Sequence, residues 1–240
     1  MSDKQRLREL VWGRIDADPA VRRAPGAVGR IPNYVGAEAA AERLTALPEW
    51  QRARVLKMNP DSPQLALRAR AIDDGKLVYM AVPKLTSEQP FVRLEKSRLS
   101  VPALEAASID GAARHGTPLS LEAMEAIDLI VCGTVAVNAA GIRIGKGGGY
   151  ADIEYALLSE LGRVTAETLI ATTVHDLQLL DQPLPETPHD FRVDRIATPT
   201  RVLVCPPAPR PRGILWDHLD AAKIASIPAL ARARAHSTST

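Results

Sequence analysis

A chain of 240 residues, 46% hydrophobic and 24% charged, is long enough to bury a substantial core and too apolar for a wholly disordered or collagen-like chain. Its formal charge of +2 gives no electrostatic argument for nucleic acid, which is not expected as a partner. The two cysteines, Cys132 and Cys205, are too far apart for a zinc site. No run approaches the roughly 18 apolar residues of a membrane helix, and the charged N-terminus lacks an apolar leader, so a reduced, cytoplasmic protein with no membrane partner is expected.

Ser2 or Asp3 can cap a first helix whose apolar stripe is Leu7, Leu10 and Val11, ending near Asp16–Pro19. Lys4 and Arg8, four apart, share another face of it. After a Pro-, Gly- and Arg-rich loop, Gly36 to Leu47 is alanine-rich and helix-prone, and Pro48 stops it. Residues 53–58 read as a strand, 62–73 as a helix with Pro63 in its first turn, and 76–82 as a strand. An irregular middle leads to a doubly buried strand over 127–137, a glycine loop over 141–150, and a helix carrying Ile153, Leu157 and Leu161. Residues 168–174 and 195–205 read as further strands. This alternation predicts an α/β fold with a mainly parallel sheet and helices on both faces. Residues 1–205 form the expected domain, 206–212 a Pro-rich linker, and 213–240 a helical extension with a disordered end at 235–240.

The glycine loop places Gly145, Gly147, Gly148 and Gly149 around Lys146. Glycines let backbone N–H groups approach a ligand closely, and the following helix adds the positive end of its dipole. The loop nevertheless fails both familiar phosphate templates: Ala140 and Gly147 break G-x-x-x-x-G-K-[ST], and Tyr150 breaks G-x-G-x-x-G. On pattern alone, a phosphate cradle and a flexible hairpin loop are equally consistent. Asp152 by default caps its helix, Lys4 and Arg8 form a solvated face, as do the arginines at 52, 54, 68 and 70, and His175 is a core histidine.

Taken together, Gly141, Arg143, Gly145, Gly147, Gly149, Tyr150 and Asp152 in G-x-R-x-G-x-G-x-G-Y-x-D, preceded by Gly133, the early "KQRLR" and the late "HDFRVDRIAT" resemble the 5-formyltetrahydrofolate cyclo-ligase family, also called methenyltetrahydrofolate synthetases. "RIPNYVGAEAA", "KMNPDSPQ", "TTVHDLQLLD" and "PRPRGILWDHL" are similar to segments of its methenyltetrahydrofolate synthetase domain-containing branch. The resemblance implies a cyclo-ligase-like three-layer fold. It also implies an enzyme using ATP and Mg2+ to convert 5-formyltetrahydrofolate to 5,10-methenyltetrahydrofolate through a phosphorylated formyl group, as a monomer or homodimer.

In that scheme Lys4, Arg8 and the loop Gly145, Lys146, Gly147, Gly148, Gly149 and Tyr150 bind ATP. Arg143, Lys146 and Tyr150 are the catalytic set. Asp152 and Asp194 hold magnesium, and Asp61, Gln64 and Tyr150 face the second substrate. The sequence departs from the family where a pterin-binding glutamate gives way to Asp61 and Gln64, and where Ala151 replaces a second tyrosine. Two alternatives follow: ATP-dependent chemistry on another small carbonyl or carboxylate compound, or a non-catalytic nucleotide- or RNA-binding protein on the same fold.

Overall fold

The computed structural model describes residues 2–237. Five strands run parallel: β1 (Val55–Met58), β2 (Leu77–Ala81), β5 (Leu129–Cys132), β8 (Leu169–Thr173) and β9 (Arg195–Ala197). Antiparallel strands β3 (Phe91–Leu94) and β4 (Thr117–Leu119) extend one edge, and β10 (Val202–Val204) the other. The order across the sheet is β10-β9-β8-β5-β1-β2-β3-β4. A two-stranded hairpin, β6 (Ala136–Val137) with β7 (Arg143–Ile144), stands apart and carries the glycine loop.

Alternation along the central strands explains the layers. Leu56, Met58, Val78, Leu129 and Val131 face one side, where they pack with Leu44 of α2 (Ala37–Thr45) and Leu67 and Ile72 of α4 (Leu65–Asp73). Tyr79, Ile130, Cys132 and Ile170 face the other, against Tyr155, Leu157 and Leu158 of α7 (Tyr150–Glu160). Both faces are covered, as the buried parallel strands require. A smaller core joins Val11, Trp12 and Ile15 of α1 (Asp3–Ala17) to Tyr34, Ala136 and Ile144, and so clamps the first helix against the hairpin.

Several local expectations change. The buried stripe of α1 is Val11, Trp12 and Ile15, whereas Leu10 is 41% exposed. Pro48 starts a new short helix, α3 (Pro48–Arg52), because proline suits a first helical position that needs no N–H. The long strand over 127–137 breaks at Gly133 into β5 and β6. Residues 195–205 fold back on themselves as antiparallel β9 and β10. The irregular middle contains β3, β4 and two short helices, α5 (Ala103–Ala106) and α6 (Ile109–His115).

Beyond the Pro-rich stretch, α8 (Ala221–Ser226) and α9 (Pro228–Ser237) follow. Ile214, Ile227 and Leu230 are buried in the same core as α7. Of the end expected to be disordered, residues 235–237 instead complete α9, and residues 238–240 lie outside the described residues. Among the described residues no helix is long and apolar enough to cross a membrane.

Candidate active site

The exit ends of β5 and β1 meet the glycine loop. Gly133 follows β5, and a Cβ there would lie 2.3 Å from Asp61 Oδ2, so glycine is what lets the segment after β1 approach. Arg68 holds that segment from beneath. Its guanidinium donates to the carbonyl oxygens of Asn59 (2.7 Å), Asp61 (2.9 Å) and Ala107 (3.0 Å). It is 1% exposed, which removes it from the expected solvated arginine face, and burial pulls its pKa down to about 10. Lys146 Nζ reaches across from the glycine loop to Asp61 Oδ1 at 3.1 Å.

Arg143 is wholly buried. Its Nη2 donates to Asp152 Oδ1 at 2.7 Å, and its Cζ lies 4.0 Å from the centre of the Phe191 ring. Burial acts most strongly against this guanidinium, but Asp152, through its charge and hydrogen bond, together with Cys132 and Asp190 outweighs it and raises its pKa. Asp152 occupies the first turn of α7, where the helix dipole favours an anion.

The first helix delivers two cations on one face. Arg8 Nε donates to Gly145 O at 2.7 Å, and a Cβ at Gly147 would sit 3.5 Å from the Arg8 Cζ. Gly147 has φ +108°, a region L side chains rarely adopt, so the loop conformation itself selects glycine. Lys4 is ion-paired with Asp190, whose carboxylate also accepts from the Thr187 N (2.6 Å) and hydroxyl (2.7 Å). Burial would raise the Asp190 carboxyl, but the hydrogen bonds from Lys4 and Thr187 outweigh it and hold it low.

Two of the expected residues belong elsewhere. Asp194 accepts from Ile170 N at 2.7 Å and from Arg210 Nη2 at 2.5 Å, at the entry end of β8. Asp152 is engaged instead by Arg143, and the acid of the late segment that faces the first helix is Asp190. The metal pair is corrected accordingly: Asp194 braces β8. Gln64 is fully buried, its Nε2 donating 2.8 Å to Cys132 O, so it ties the chain to the end of β5 and offers no face to a second substrate.

Sequence reasoning missed a buried polar pair beneath the loop. Lys57 and Glu154 form an ion pair at 1% and 3% side-chain exposure, and Asn59 Nδ2 donates to Glu154 Oε2 at 3.1 Å. Burial pushes the Glu154 carboxyl up against the pull of Lys57. A lysine alternating with apolar residues in a doubly buried strand was the available signal.

His175, expected as a core histidine, is half-buried and hydrogen-bonded. It caps a one-turn helix through Leu177 N at 3.2 Å, with Gln178 returning to its backbone. A cavity of about 280 Å3 is lined by Gly147, Gly148, Gly149 and Asp152 on one side and by Ile214, Leu215, His218 and Lys223 on the other, and Tyr150, which starts α7, is not part of its lining. Among the described residues no group of three His, Cys, Asp or Glu side chains is arranged to hold a metal. A magnesium ion arriving with a nucleotide asks for less, one or two carboxylates beside phosphate oxygens and water. The Asp152 carboxylate at the cavity wall fits that requirement.

Comparison with known proteins points to one family. The chain is 36% identical over 239 residues to a methenyltetrahydrofolate synthase domain-containing protein of Mus musculus, covering 96% of this chain and 63% of that one. A Bos taurus protein of the same name is 35% identical, with 95% and 60% covered. The chain thus spans about three-fifths of the length of these relatives. The NMR structure of 5,10-methenyltetrahydrofolate synthetase from Aquifex aeolicus shares the fold, with a TM-score of 0.56 at 20% identity over 87% of this chain and 95% of that one. Residues 1–199 match the family described as 5-formyltetrahydrofolate cyclo-ligase. Because that match spans most of the chain, the chain belongs to the 5-formyltetrahydrofolate cyclo-ligase family.

Proposed function

We propose that the protein is an ATP- and Mg2+-dependent cyclo-ligase that converts 5-formyltetrahydrofolate to 5,10-methenyltetrahydrofolate, releasing ADP and phosphate. One observation carries the reading: Arg8 on Gly145, Lys146 on Asp61 and Arg143 on Asp152 converge on a single glycine loop. The formyl oxygen takes the γ-phosphoryl group, ADP leaves, and the second folate nitrogen then attacks the activated carbon, expelling phosphate with that oxygen. The chemistry asks the protein for positioning and charge neutralisation more than for bond making.

The residues divide that work. The loop N–H groups and Arg8 hold the phosphates. Lys4 keeps α1 in place through Asp190. Lys146, 46% exposed, is the cation that can leave Asp61 for the transferring phosphoryl group. Arg143 is buried and tied, and acts by orienting Asp152. Bound magnesium supplies further neutralisation of the phosphate oxygens, and Asp152 is the residue that would hold it. Tyr150 borders the boundary between nucleotide and second substrate. ADP release that depends on 5-formyltetrahydrofolate tests the proposal, and its absence at high enzyme concentration overturns it.

A second reading rests on Asp61 and Gln64. Where a pterin-binding glutamate is expected, Asp61 is held by Lys146 and Gln64 is sealed in the core. This favours the same phosphoryl transfer on a different small carbonyl or carboxylate compound. ADP release driven by such a compound, with none driven by the folate, separates the two. The non-catalytic RNA-binding alternative loses support, since Arg68 is a buried brace and Arg70 is paired with Asp74.

A further inference from the structure

The family match stops at residue 199, yet the chain beyond it returns to the glycine loop. Arg210 anchors the start of this strap on Asp194, and Ile214 N donates to Glu160 Oε1 at 2.9 Å near the end of α7. The strap then follows α7 back toward its first turn. His218 Nδ1 meets His189 Nδ1 at 2.7 Å, beside Asp190. Asp220 caps α8 by accepting from Lys223 N at 2.6 Å, which fixes where the lysine side chain departs. Its Nζ lies 2.8 Å from Gly148 O and 3.8 Å from the centre of the Tyr150 ring. Ile227 and Leu230 bury the far end, and Arg232 pairs with Glu88 in the loop after β2. The cavity against Gly147, Gly148, Gly149 and Asp152 is therefore closed on its other side by Leu215, His218 and Lys223.

We propose that Lys223 is a triphosphate-binding residue of the nucleotide site, delivered by the strap from outside the family-matched region. The proposal deepens the ATP reading above and rests on it. An ammonium carries three donors, and here one is spent on a loop carbonyl while the aromatic face supports the charge. A phosphate cradled by the same glycines stands within the reach of the side chain. The apolar wall of Ile153, Ala156, Ile214 and Leu219 suits the less polar part of a nucleotide. A strut that merely fastened the strap would need no position on the cavity wall.

The test is calorimetric titration of Mg-ATP and of adenosine into the full chain and its Lys223 variants. Lys223→Met weakens Mg-ATP about 10-fold or more, the scale of one charge-assisted hydrogen bond, and leaves adenosine unchanged, while Lys223→Arg restores most of the loss. Equal Mg-ATP affinity for wild type and Lys223→Met overturns the role of Lys223 and leaves the nucleotide reading intact. Absence of Mg-ATP binding by the wild type overturns both. Amine acylation of the unaltered protein needs no variant to fold: Mg-ATP protects Lys223, and an unchanged rate of modification contradicts the proposal.

Discussion

Arg143 Nη2 lies 2.7 Å from Asp152 Oδ1, and this one pair locks the hairpin that carries the glycine loop to the first turn of the helix that follows it. The cation is buried, and its partner is half-buried at the cavity wall. Removing the acid leaves a buried guanidinium without its ion-pair partner, beside the Phe191 ring. Asp152→Ala is expected to destabilise by about 3 kcal/mol in urea unfolding, the scale of a broken buried pair, and the Arg143→Met, Asp152→Ala double variant to recover part of it. Additive losses would mean that the pair is not coupled.

Lys146 and Asp61 make the opposite case. The lysine is 46% exposed, so the pair adds little to stability. Lys146→Ala should change unfolding free energy by less than about 1 kcal/mol and lower the rate of ADP formation at least about 100-fold, the scale of one lost transition-state contact. Comparable losses in stability and rate would make Lys146 a structural residue.

Arg68 is the brace on which Asp61 depends. Arg68→Met strands the carbonyl oxygens of Asn59, Asp61 and Ala107, and should cost about 2–4 kcal/mol by denaturant unfolding. Arg68→Lys should rescue little, because an ammonium cannot fork to several carbonyls in a plane. Full rescue by lysine would assign the effect to charge alone.

How much of this was readable beforehand follows from the physics of each residue. The glycine loop is recognisable because its backbone demands glycine, whereas Lys4 and Arg8 alone read as a solvated helix face and stand out only through the family resemblance. The late acidic residues are different: Asp190 and Asp194 are four apart, and only the turn at Thr187 decides that Asp190 faces Lys4 while Asp194 turns to Ile170. Lys57 and Glu154 find each other across the sheet-helix layer, a pairing that no local pattern encodes. The edge strand β4 escaped detection because it spans three residues and contains a proline, and β3 beside it fell within the stretch read as irregular. Lys223 carries no motif, and only the path of the strap brings it to Gly148.

Asp190 makes acid stability informative. Its folded carboxyl titrates below the unfolded value of about 3.9, so the unfolded chain binds the proton first as pH falls. Its contribution is complete above that value and is lost as pH drops through the folded one. The difference in unfolding free energy between wild type and Asp190→Asn should therefore be flat above about pH 5 and shrink below about pH 4. A difference independent of pH across that window would remove the Lys4 pair as its source.

The most direct test of the proposed chemistry follows one oxygen atom. With 5-formyltetrahydrofolate labelled by heavy oxygen in its formyl group, turnover with Mg-ATP should yield methenyl product and ADP in equal amounts, with the label in the released phosphate. Unlabelled phosphate, or no methenyl product from folded protein that binds Mg-ATP, would contradict the account.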